Sequence, residues 1–570
     1  MNVMDNIGKR TSNDYFYVYF FNFFIYNDGF SDWAERKHQS QKFSLIKLET
    51  VLKLVLNNMM VPIEQDSNET YLDFAAKILG IEPSDIKLLK ILNKIFIPKD
   101  KEQFYYELSI AVTVPDNYAN TKNIPPYVTY EPPSYKQFNL LKKIAIIGFG
   151  PAGMFAALEL INHGIRPIIF EQGKKIEERL KDIHNFIQNR VLNQESNIQY
   201  GEGGAGSYSD GKLFSRKCNT TYVKQVLDTF IKFGAPEKIR FISKPHLGTD
   251  ILSTIVKNIR NYILENGGKI HFNSKLTDLI ICKRKIKGIV INDIDRINVD
   301  FLYLAIGHSA RDTFKMLYRT EVTLEQKPIS VGVRIEHPAE IINFIRHGKK
   351  YQNFPNLESA TYSFNFTNRK VNRGVYTFCQ CPGGEILNAS SKNGNLVLNG
   401  MSYSTRSSSF SNSAIVVTCK TEDYNSTHPL SGIDFQEKIE ETAYKIGNWS
   451  APAQNLTDFM SNKISEKLID NSYKMGTISA DMNQIFPSFI IRELKNAFNY
   501  WKSEEPLFVS KHGILIAPET RTTSPVRIVR NDNFESVNIQ NLFPIGEGAG
   551  YAGGITSAAV DGIKAVEKSL

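Results

Sequence analysis

Cysteine is scarce in this chain, with five in 570 residues and no C-x-x-C pair. That excludes a disulfide scaffold. Cys379 and Cys381 form the one close pair, C-x-C, and on a regular strand both would face the same side. A zinc site needs a second pair at suitable spacing, and none exists. The two are read as small core thiols, with a redox dithiol as the alternative. Long apolar runs are also missing. Tyr15–Tyr26, YFYVYFFNFFIY, is too short to cross a bilayer, and no transmembrane segment is expected. No small-residue cleavage site follows it, so it does not read as a signal peptide. Two readings remain for it: an upstream translation artefact, with Met59 or Met60 the true start, or a peripheral membrane anchor. The expected location is the cytoplasm. One-signed charge is lacking too, since 68 basic and 59 acidic residues leave a net +9. The strongest basic run, Lys283–Lys287, reads as a hairpin turn. No aromatic residues interleave with it, so nucleic acid is not an expected partner.

What is present begins at Lys142. The segment KKIAIIGFGPAGMFAALELINHGIRPIIFEQ reads as a buried strand over Ile144–Ile147, a glycine turn, a helix, a second strand over Pro167–Phe170, and an acid. Gly148, Gly150 and Gly153 have the G-x-G-x-x-G spacing. The first allows the tight turn, the second lets a diphosphate approach the backbone, and the third lets helix and strand pack. Pro151 and Ala152 then open the helix, whose free N–H groups favour an anion. Glu171, followed by Gln172, stands at about the 20-residue offset of the acid that binds a ribose hydroxyl.

A second segment, NLFPIGEGAGYAGGITSAAVDGI from Asn541 to Ile563, is a short strand, a Gly546-Glu547 pair, a glycine turn and a small-residue helix. It resembles the C-terminal FAD motif of the glutathione-reductase-like superfamily. In that resemblance Glu547 replaces the usual aspartate beside the ribityl phosphate, and Gly554, Ile555 and Thr556 present N–H groups to the flavin. An extended FAD needs two distant loops, whereas NAD does not, so the pairing favours FAD as the tightly held cofactor. Between the two lies Tyr200–Phe214, YGEGGAGSYSDGKLF. It repeats the glycine spacing but continues into a turn rather than a helix, so it is not a second dinucleotide fold. It reads as a loop lying against FAD, with Gly203, Gly204, Gly206, Ser209, Asp210, Gly211 and Lys212 as candidates. The alternative is a structural Ω-loop. Ala305 and Gly307, after the apolar run FLYLAIG, complete the cofactor set.

The segments GFGPAGMFAA, GEGGAGSYSDGKL, LAIGHSARDTF, VGVRIEHP, NGMSYSTR, APETRTTSPVRI and GEGAGYAGGI together resemble a family of uncharacterised FAD-dependent dehydrogenases, mainly bacterial with plastid relatives. The resemblance runs from about Lys142 to the end. It implies the fold and FAD, and it names no substrate.

The expected fold class is α/β. A discontinuous Rossmann-like FAD-binding domain carries an inserted antiparallel β-rich substrate domain, and a small N-terminal α/β module precedes it. The divisions are an atypical extension at 1–58, the module at 59–114, a proline-rich linker at 115–140, the first part of the FAD domain at 141–325, the insertion at 326–510 and the return at 511–570. In the module, Tyr71–Leu79 and Ser84–Asn93 carry helical spacing and Phe104–Val114 alternates as a strand. Further on, His246–Gly268 holds an amphipathic helix, Lys269–Phe272 and Leu279–Asp295 a strand and hairpin, and Phe301–Gly307 a buried strand. Insertion strands are expected at Pro328–Glu336, Val375–Cys379, Leu396–Asn399 and Ala414–Thr418, and helices at Phe435–Ile446 and Pro487–Ala497.

No Ser/His/Asp arrangement stands out, so the chemistry is expected to be the flavin's. Arg334, Arg406, Glu519, Arg521 and Arg527 are candidates for its open face. Glu519, Arg521 and Arg527 are the catalytic candidates, with Arg521 and Arg527 as a carboxylate clamp or as partners of reduced flavin. The competing reading makes Glu519-Thr520-Arg521 a structural ion-pair loop. His308 reads as a structural residue. The expected activity is an FAD-dependent dehydrogenase or reductase acting on a small molecule. NAD(P)H would dock transiently as reductant, or an electron-donor protein would serve. An RNA-modifying flavoprotein and a non-catalytic flavin sensor are the alternatives.

Overall fold

A computed structural model describes residues 52–129, 134–138, 142–213, 221–355 and 357–570. Tyr15–Tyr26, Pro132, Pro133, Phe214 and Cys218 lie outside the described residues.

The first body of structure is a three-stranded antiparallel sheet with one helix. Strand β1 (Leu52–Pro62) pairs with β3 (Phe104–Val114), which pairs with β2 (Lys87–Pro98). The boundary expected at 58/59 therefore falls inside a strand. Helix α1 (Asn68–Leu79) starts at Ser67, whose hydroxyl accepts from the Thr70 N–H at 3.2 Å. It ends at Gly80 in the left-handed conformation and buries Tyr71, Ala75, Ala76 and Leu79 on the sheet. The helix expected over Ser84–Asn93 is not formed, and most of that segment is strand β2. The edge of β3 offers it a full ladder, and an isolated bridge on the other side adds the Lys94 N–H donating to the Phe241 carbonyl at 2.8 Å. Such long-range pairing overrides local helical spacing. Among its described residues the proline-rich connection carries no helix. Part of it covers the edge of β1 through Val55 N–H to Pro125 O and Tyr127 N–H to Lys53 O.

The parallel sheet comes next. Its chain order is β4 (Ile144–Ile147), α2 (Pro151–Asn162), β5 (Ile168–Phe170), α3 (Ile176–Asn189), α4 (Thr221–Lys232), α5 (Thr249–Glu265) and β6 (Lys269–His271). Strands β7 (Leu276–Cys282), β8 (Lys285–Ile291) and β9 (Asp295–Asn298) form an antiparallel layer. Then come β10 (Phe301–Leu304), α6 (Arg311–Arg319) and β11 (Leu324–Gln326).

The insertion opens with β12 (Ile329–Pro338), α7 (Ala339–Tyr351), β13 (Asn365–Asn368), β14 (Arg373–Cys381), β15 (Glu385–Asn388), β16 (Leu398–Met401) and β17 (Phe410–Cys419). It continues through α8 (Ser431–Gly447), β18 (Ala451–Asn455), α9 (Leu456–Met460), β19 (Thr477–Ser479), α10 (Ser488–Glu504) and β20 (Ile514–Glu519). Seven of these strands form one sheet in the order β13-β14-β17-β12-β20-β18-β19, antiparallel except for the last pair. Strand β16 pairs with β15 in a separate hairpin. The return expected at 511 comes later, because β20 hydrogen-bonds to β12 and β18 inside the inserted sheet.

The chain leaves through β21 (Val526–Ile528), which pairs with β11, so entry and exit are zipped together. Strand β22 (Leu542–Pro544) and helix α11 (Ile555–Ser569) then complete the parallel sheet, whose order is β22-β10-β4-β5-β6. Helices α2, α4, α5 and α11 cover one face, and α6 with the β7–β9 layer covers the other.

Candidate functional site

Three neighbouring parallel strands, β4, β10 and β22, end in glycine turns at Gly148, Gly307 and Gly546. In an open α/β sheet the crevice beyond such strand ends is where ligands bind. Gly148 has φ +94°, and a Cβ there would stand 2.3 Å from the Ala305 carbonyl oxygen. Gly546 meets Ala152, where a Cβ would come within 2.6 Å. The glycines thus let the turns after β4 and β22 close against the β10 turn and α2, and Gly562 does the same for α11 on α2, where a Cβ would stand 2.3 Å from the Ala152 carbonyl oxygen. Neither helix has a side-chain cap at its start, at Gly150 or at Gly554. The first N–H groups of both are left without intrahelical acceptors. Gly553 is informative for the opposite reason. A Cβ there would meet nothing within 4 Å, and its φ is not in the left-handed region. The fold itself gives no reason for glycine at this position, whereas a ligand lying on the turn would.

Glu171 is buried, and its carboxylate accepts three main-chain N–H groups: Phe149 at 2.7 Å, Gly173 at 3.0 Å and Gly201 at 2.9 Å. About one of its four acceptor positions remains for a hydroxyl donor. The acid placed by spacing therefore also ties the fingerprint turn to the second glycine loop. Gln172 donates to Glu195 at 2.5 Å.

The Tyr200 loop lies across the fingerprint, and a Cβ on Gly204 would come 3.1 Å from the Gly150 Cα. Several of its N–H groups are spent within the protein. Gly203 donates to the Phe149 carbonyl at 2.8 Å, Gly204 to Gly201 at 2.9 Å, and Gly211 to the Ser209 hydroxyl at 3.0 Å. Among the described residues, the Ala205 and Gly206 N–H groups have no acceptor. Asp210 and Lys212 pair at 2.8 Å, and Arg406 reaches Asp210 at 2.6 Å from the insertion. Burial raises the Asp210 carboxyl, but Lys212 and Arg406 outweigh it and hold the group low.

At the α11 end, Ile555 packs near Gly206, and the Thr556 hydroxyl donates to the Leu213 carbonyl at 2.7 Å. Glu547 stands at this corner. Burial pushes its carboxyl up to about 7, against the Gly554 N–H and the Lys327 charge. Lys327 donates to Thr523 at 3.0 Å. Sequence reasoning missed Lys327, because a single lysine before a strand carries no signal.

The catalytic candidates do not come together as one clamp. Glu519 pairs with the fully buried Arg334 at 3.0 Å. Burial raises the Glu519 carboxyl despite that partner. Arg521 turns the other way, onto Glu440 at 3.0 Å, and reaches the Ser391 and Ser309 hydroxyls at 2.8 and 3.1 Å. Glu440 also receives Arg311 at 2.8 Å and the Thr520 hydroxyl at 2.6 Å. The Glu519-Thr520-Arg521 segment is thus an ion-pair loop with its charges already spent. Arg527 alone is part-exposed, with its guanidinium 5.3 Å from the Tyr551 ring and 3.9 Å from Glu325. Burial, then Arg521 and Arg311, push His308 down to about 3, so it is neutral beside Ser309.

The two close cysteines face different ways. Between Phe378 and Cys381 strand β14 takes three steps against two on β17, a bulge that re-aims side chains. Cys379 sits in it with φ +42° and its side chain exposed, while Cys381 is buried 3.8 Å from Arg334. Arg334 donates to the Cys379 carbonyl at 2.7 Å, and Lys212 donates to that of Gln380. Desolvation by the surrounding protein pushes the Cys379 thiol up to about 12 although the residue is exposed.

A cavity of about 190 Å³ opens beside Gln172 and is lined by Tyr200, Lys275, Arg311, Lys315 and Ser391, among others. No helix among the described residues is long and apolar enough to cross a membrane.

Residues 328–522 match the family model described as FAD-dependent protein, C-terminal domain-like. An uncharacterised protein of Clostridium beijerinckii is 39% identical over 531 residues, which span 90% of this chain and 97% of that one. A thiamine thiazole synthase of Pyrococcus horikoshii is 26% identical over 186 residues, 30% of this chain and 60% of that one. Among solved structures, a glycine oxidase from Bacillus cereus shares 12% identity, covering 75% of this chain and 94% of that one, with a TM-score of 0.28.

Proposed function

The chain belongs to one family with the uncharacterised Clostridium beijerinckii protein, and from that premise we propose that it is a FAD-dependent oxidoreductase acting on a small molecule. The carrying observation is the pair of uncapped helix starts, α2 and α11, at one end of the same parallel sheet. A dinucleotide as long as FAD has an anionic diphosphate for the first and, for the second, ring carbonyl oxygens that accept N–H groups and gain negative charge on reduction. The unspent Ala205 and Gly206 N–H groups and the open turn at Gly553 fit the same ligand.

In this reading Gly150, Pro151, Ala152 and Gly153 hold the diphosphate, Glu171 and Gln172 face the adenosine ribose, and Gly203–Gly206 cover the middle. Glu547, Gly554, Ile555 and Thr556 hold the ring end. When bound, FAD supplies hydride acceptance and one- or two-electron transfer. The protein's part is to position the reactants and exclude water. The inserted sheet forms the opposite wall, and its bulge at Cys379 is clamped by Lys212 from the glycine loop. Of the three catalytic candidates, Arg527 is the one with charge to offer a substrate anion. Lys327 lies in the same electrostatic neighbourhood. Glu519 and Arg521 act as supports. NAD(P)H, or an electron-donor protein, would reduce the flavin transiently.

The test is to add FAD to the purified protein, record its flavin absorbance, and offer NADH and NADPH separately without oxygen. Bleaching by one of them identifies a pyridine-nucleotide-driven reductase. No bleaching, with reduction by dithionite intact, identifies a substrate- or partner-fed enzyme. No flavin absorbance after added FAD sinks the reading.

A further inference from the structure

Arg179, in the first turn of α3, is fully buried and has no carboxylate within ion-pair distance among the described residues. Its guanidinium reaches five main-chain carbonyls of one loop instead. Nε donates to Asn197 O at 2.7 Å, and Nη2 to Ile198 O at 2.9 Å. Nη1 lies 3.3, 2.7 and 3.0 Å from the carbonyls of Gly201, Glu202 and Gly204. The Tyr208 ring stacks over it at 4.7 Å.

A trans peptide points its N–H opposite to its C=O. Each carbonyl that Arg179 gathers therefore turns the next N–H away from it. The Glu202 N–H goes to Lys174 O at 3.1 Å, and the Gly203 N–H goes to Phe149 O in the fingerprint turn at 2.8 Å. The N–H following Gly204 belongs to Ala205 and is unspent, as is that of Gly206. These residues lie between the two helix starts: Gly204 against Gly150, and Gly206 against Pro151 and Ile555. Two buried carboxylates, Glu171 and Glu202, act on this guanidinium at longer range, so what Arg179 supplies at this surface is the orientation of the main-chain N–H groups.

We propose that Arg179 is the positioning residue of the cofactor's diphosphate site, holding the second glycine loop so that the Ala205 and Gly206 N–H groups face a diphosphate. The proposal rests on the FAD reading and extends it to a residue that touches no ligand.

Arg179→Gln removes the charge and the fork of donors, while Arg179→Lys keeps the charge and loses the fork. FAD and riboflavin affinities are measured for each by fluorescence, and inorganic pyrophosphate is tested for thermal stabilisation of the protein without flavin. In Arg179→Gln, FAD affinity should fall by about tenfold or more, as loss of a charge-assisted network implies. Riboflavin, which has no phosphate, should bind as in the wild type. Arg179→Lys should not restore FAD binding fully, and the pyrophosphate shift of the wild type should vanish in Arg179→Gln. Unchanged FAD affinity in Arg179→Gln overturns the proposal. So does a parallel loss of FAD and riboflavin, which marks general collapse of the loop. If the wild type binds no FAD, the functional reading fails by itself. The pyrophosphate comparison still judges Arg179, because equal shifts, or none in the wild type, overturn its role.

Discussion

Arg521 and Glu440 meet in the protein interior, Nη2 to Oε2 at 3.0 Å, with Arg311 on the same carboxylate at 2.8 Å. Two buried guanidinium groups share one buried acid.

Removing that acid strands Arg521 and leaves Arg311 only Glu437, at 3.4 Å, as an acidic partner among the described residues. Glu440→Gln should therefore cost about 3–5 kcal/mol, the range for breaking a buried pair by one partner, and lower the midpoint of thermal unfolding. The pH dependence has a definite sign. Burial raises the Glu440 carboxyl, but Arg311 and Arg521 outweigh it and hold the folded value well below the unfolded one. Its stabilisation is present above the unfolded carboxylate value and is lost as pH falls toward the folded one. Melting curves in progressively acidic buffers should fall more steeply for the wild type than for Glu440→Gln. Parallel curves would contradict the assignment.

Glu336 has the opposite sign. It is fully buried on β12, accepting from the Ser472 N–H at 2.7 Å and its hydroxyl at 2.5 Å. Burial, opposed by Ser472, pushes it up to about 7. The folded state then holds a proton that the unfolded state has lost. Stability should decline as pH rises from the ordinary carboxylate range to about 7. Glu336→Gln should make that slope shallower in melts across the window, leaving the share that Glu547 contributes with the same sign. An unaltered slope would place the proton elsewhere.

Two glycines separate packing from ligand binding. A Cβ on Gly562 would stand 2.3 Å from the Ala152 carbonyl oxygen, so Gly562→Ala must push α11 off α2 and should destabilise by about 1–3 kcal/mol. Gly553→Ala meets no protein atom within 4 Å. Its melting temperature without flavin should match the wild type while its FAD affinity drops. Equal FAD binding by Gly553→Ala would remove the argument from that open turn.

The bulge in β14 makes the cysteines distinguishable. Iodoacetamide treatment of the flavin-free protein at alkaline pH, followed by peptide mass mapping, should label the exposed Cys282 first, then Cys379, slowed by its raised thiol but still ahead of the buried Cys381 and Cys419. Labelling of Cys381 as fast as Cys379 would mean that the two share a face after all.

The parts legible in the sequence are those dictated by local sterics. The Gly148, Gly150, Gly153 spacing and its flanking strands emerge where expected, because contact with neighbouring backbone leaves no other residue possible at Gly148. The segment around Leu88 and Ile91 was not legible, since its strand identity comes from β3 across the sheet and not from its own pattern. Nor was Arg521's task, because Glu440 lies 81 residues away on an ordinary-looking amphipathic helix. Arg179 escaped notice for another reason. Its partners are carbonyl oxygens, which every residue has, so no pattern of side chains can announce them. The Cys379–Cys381 geometry depends on one extra residue in a ladder, and a single inserted step reverses which side a side chain takes.

Strand β22 and helix α11 come from the far end of the chain from β4 and α2, yet they border them in the finished sheet and lock against Ala152. During synthesis the inserted sheet, being continuous in sequence, can fold while the parallel sheet still lacks its edge. A ribosome-bound chain exposes half a crevice, with the fingerprint ready and the opposing turn not yet made. On the reading proposed above, cofactor capture would be a late event, since a chain stalled before Leu542 lacks the β22 edge and the α11 turn.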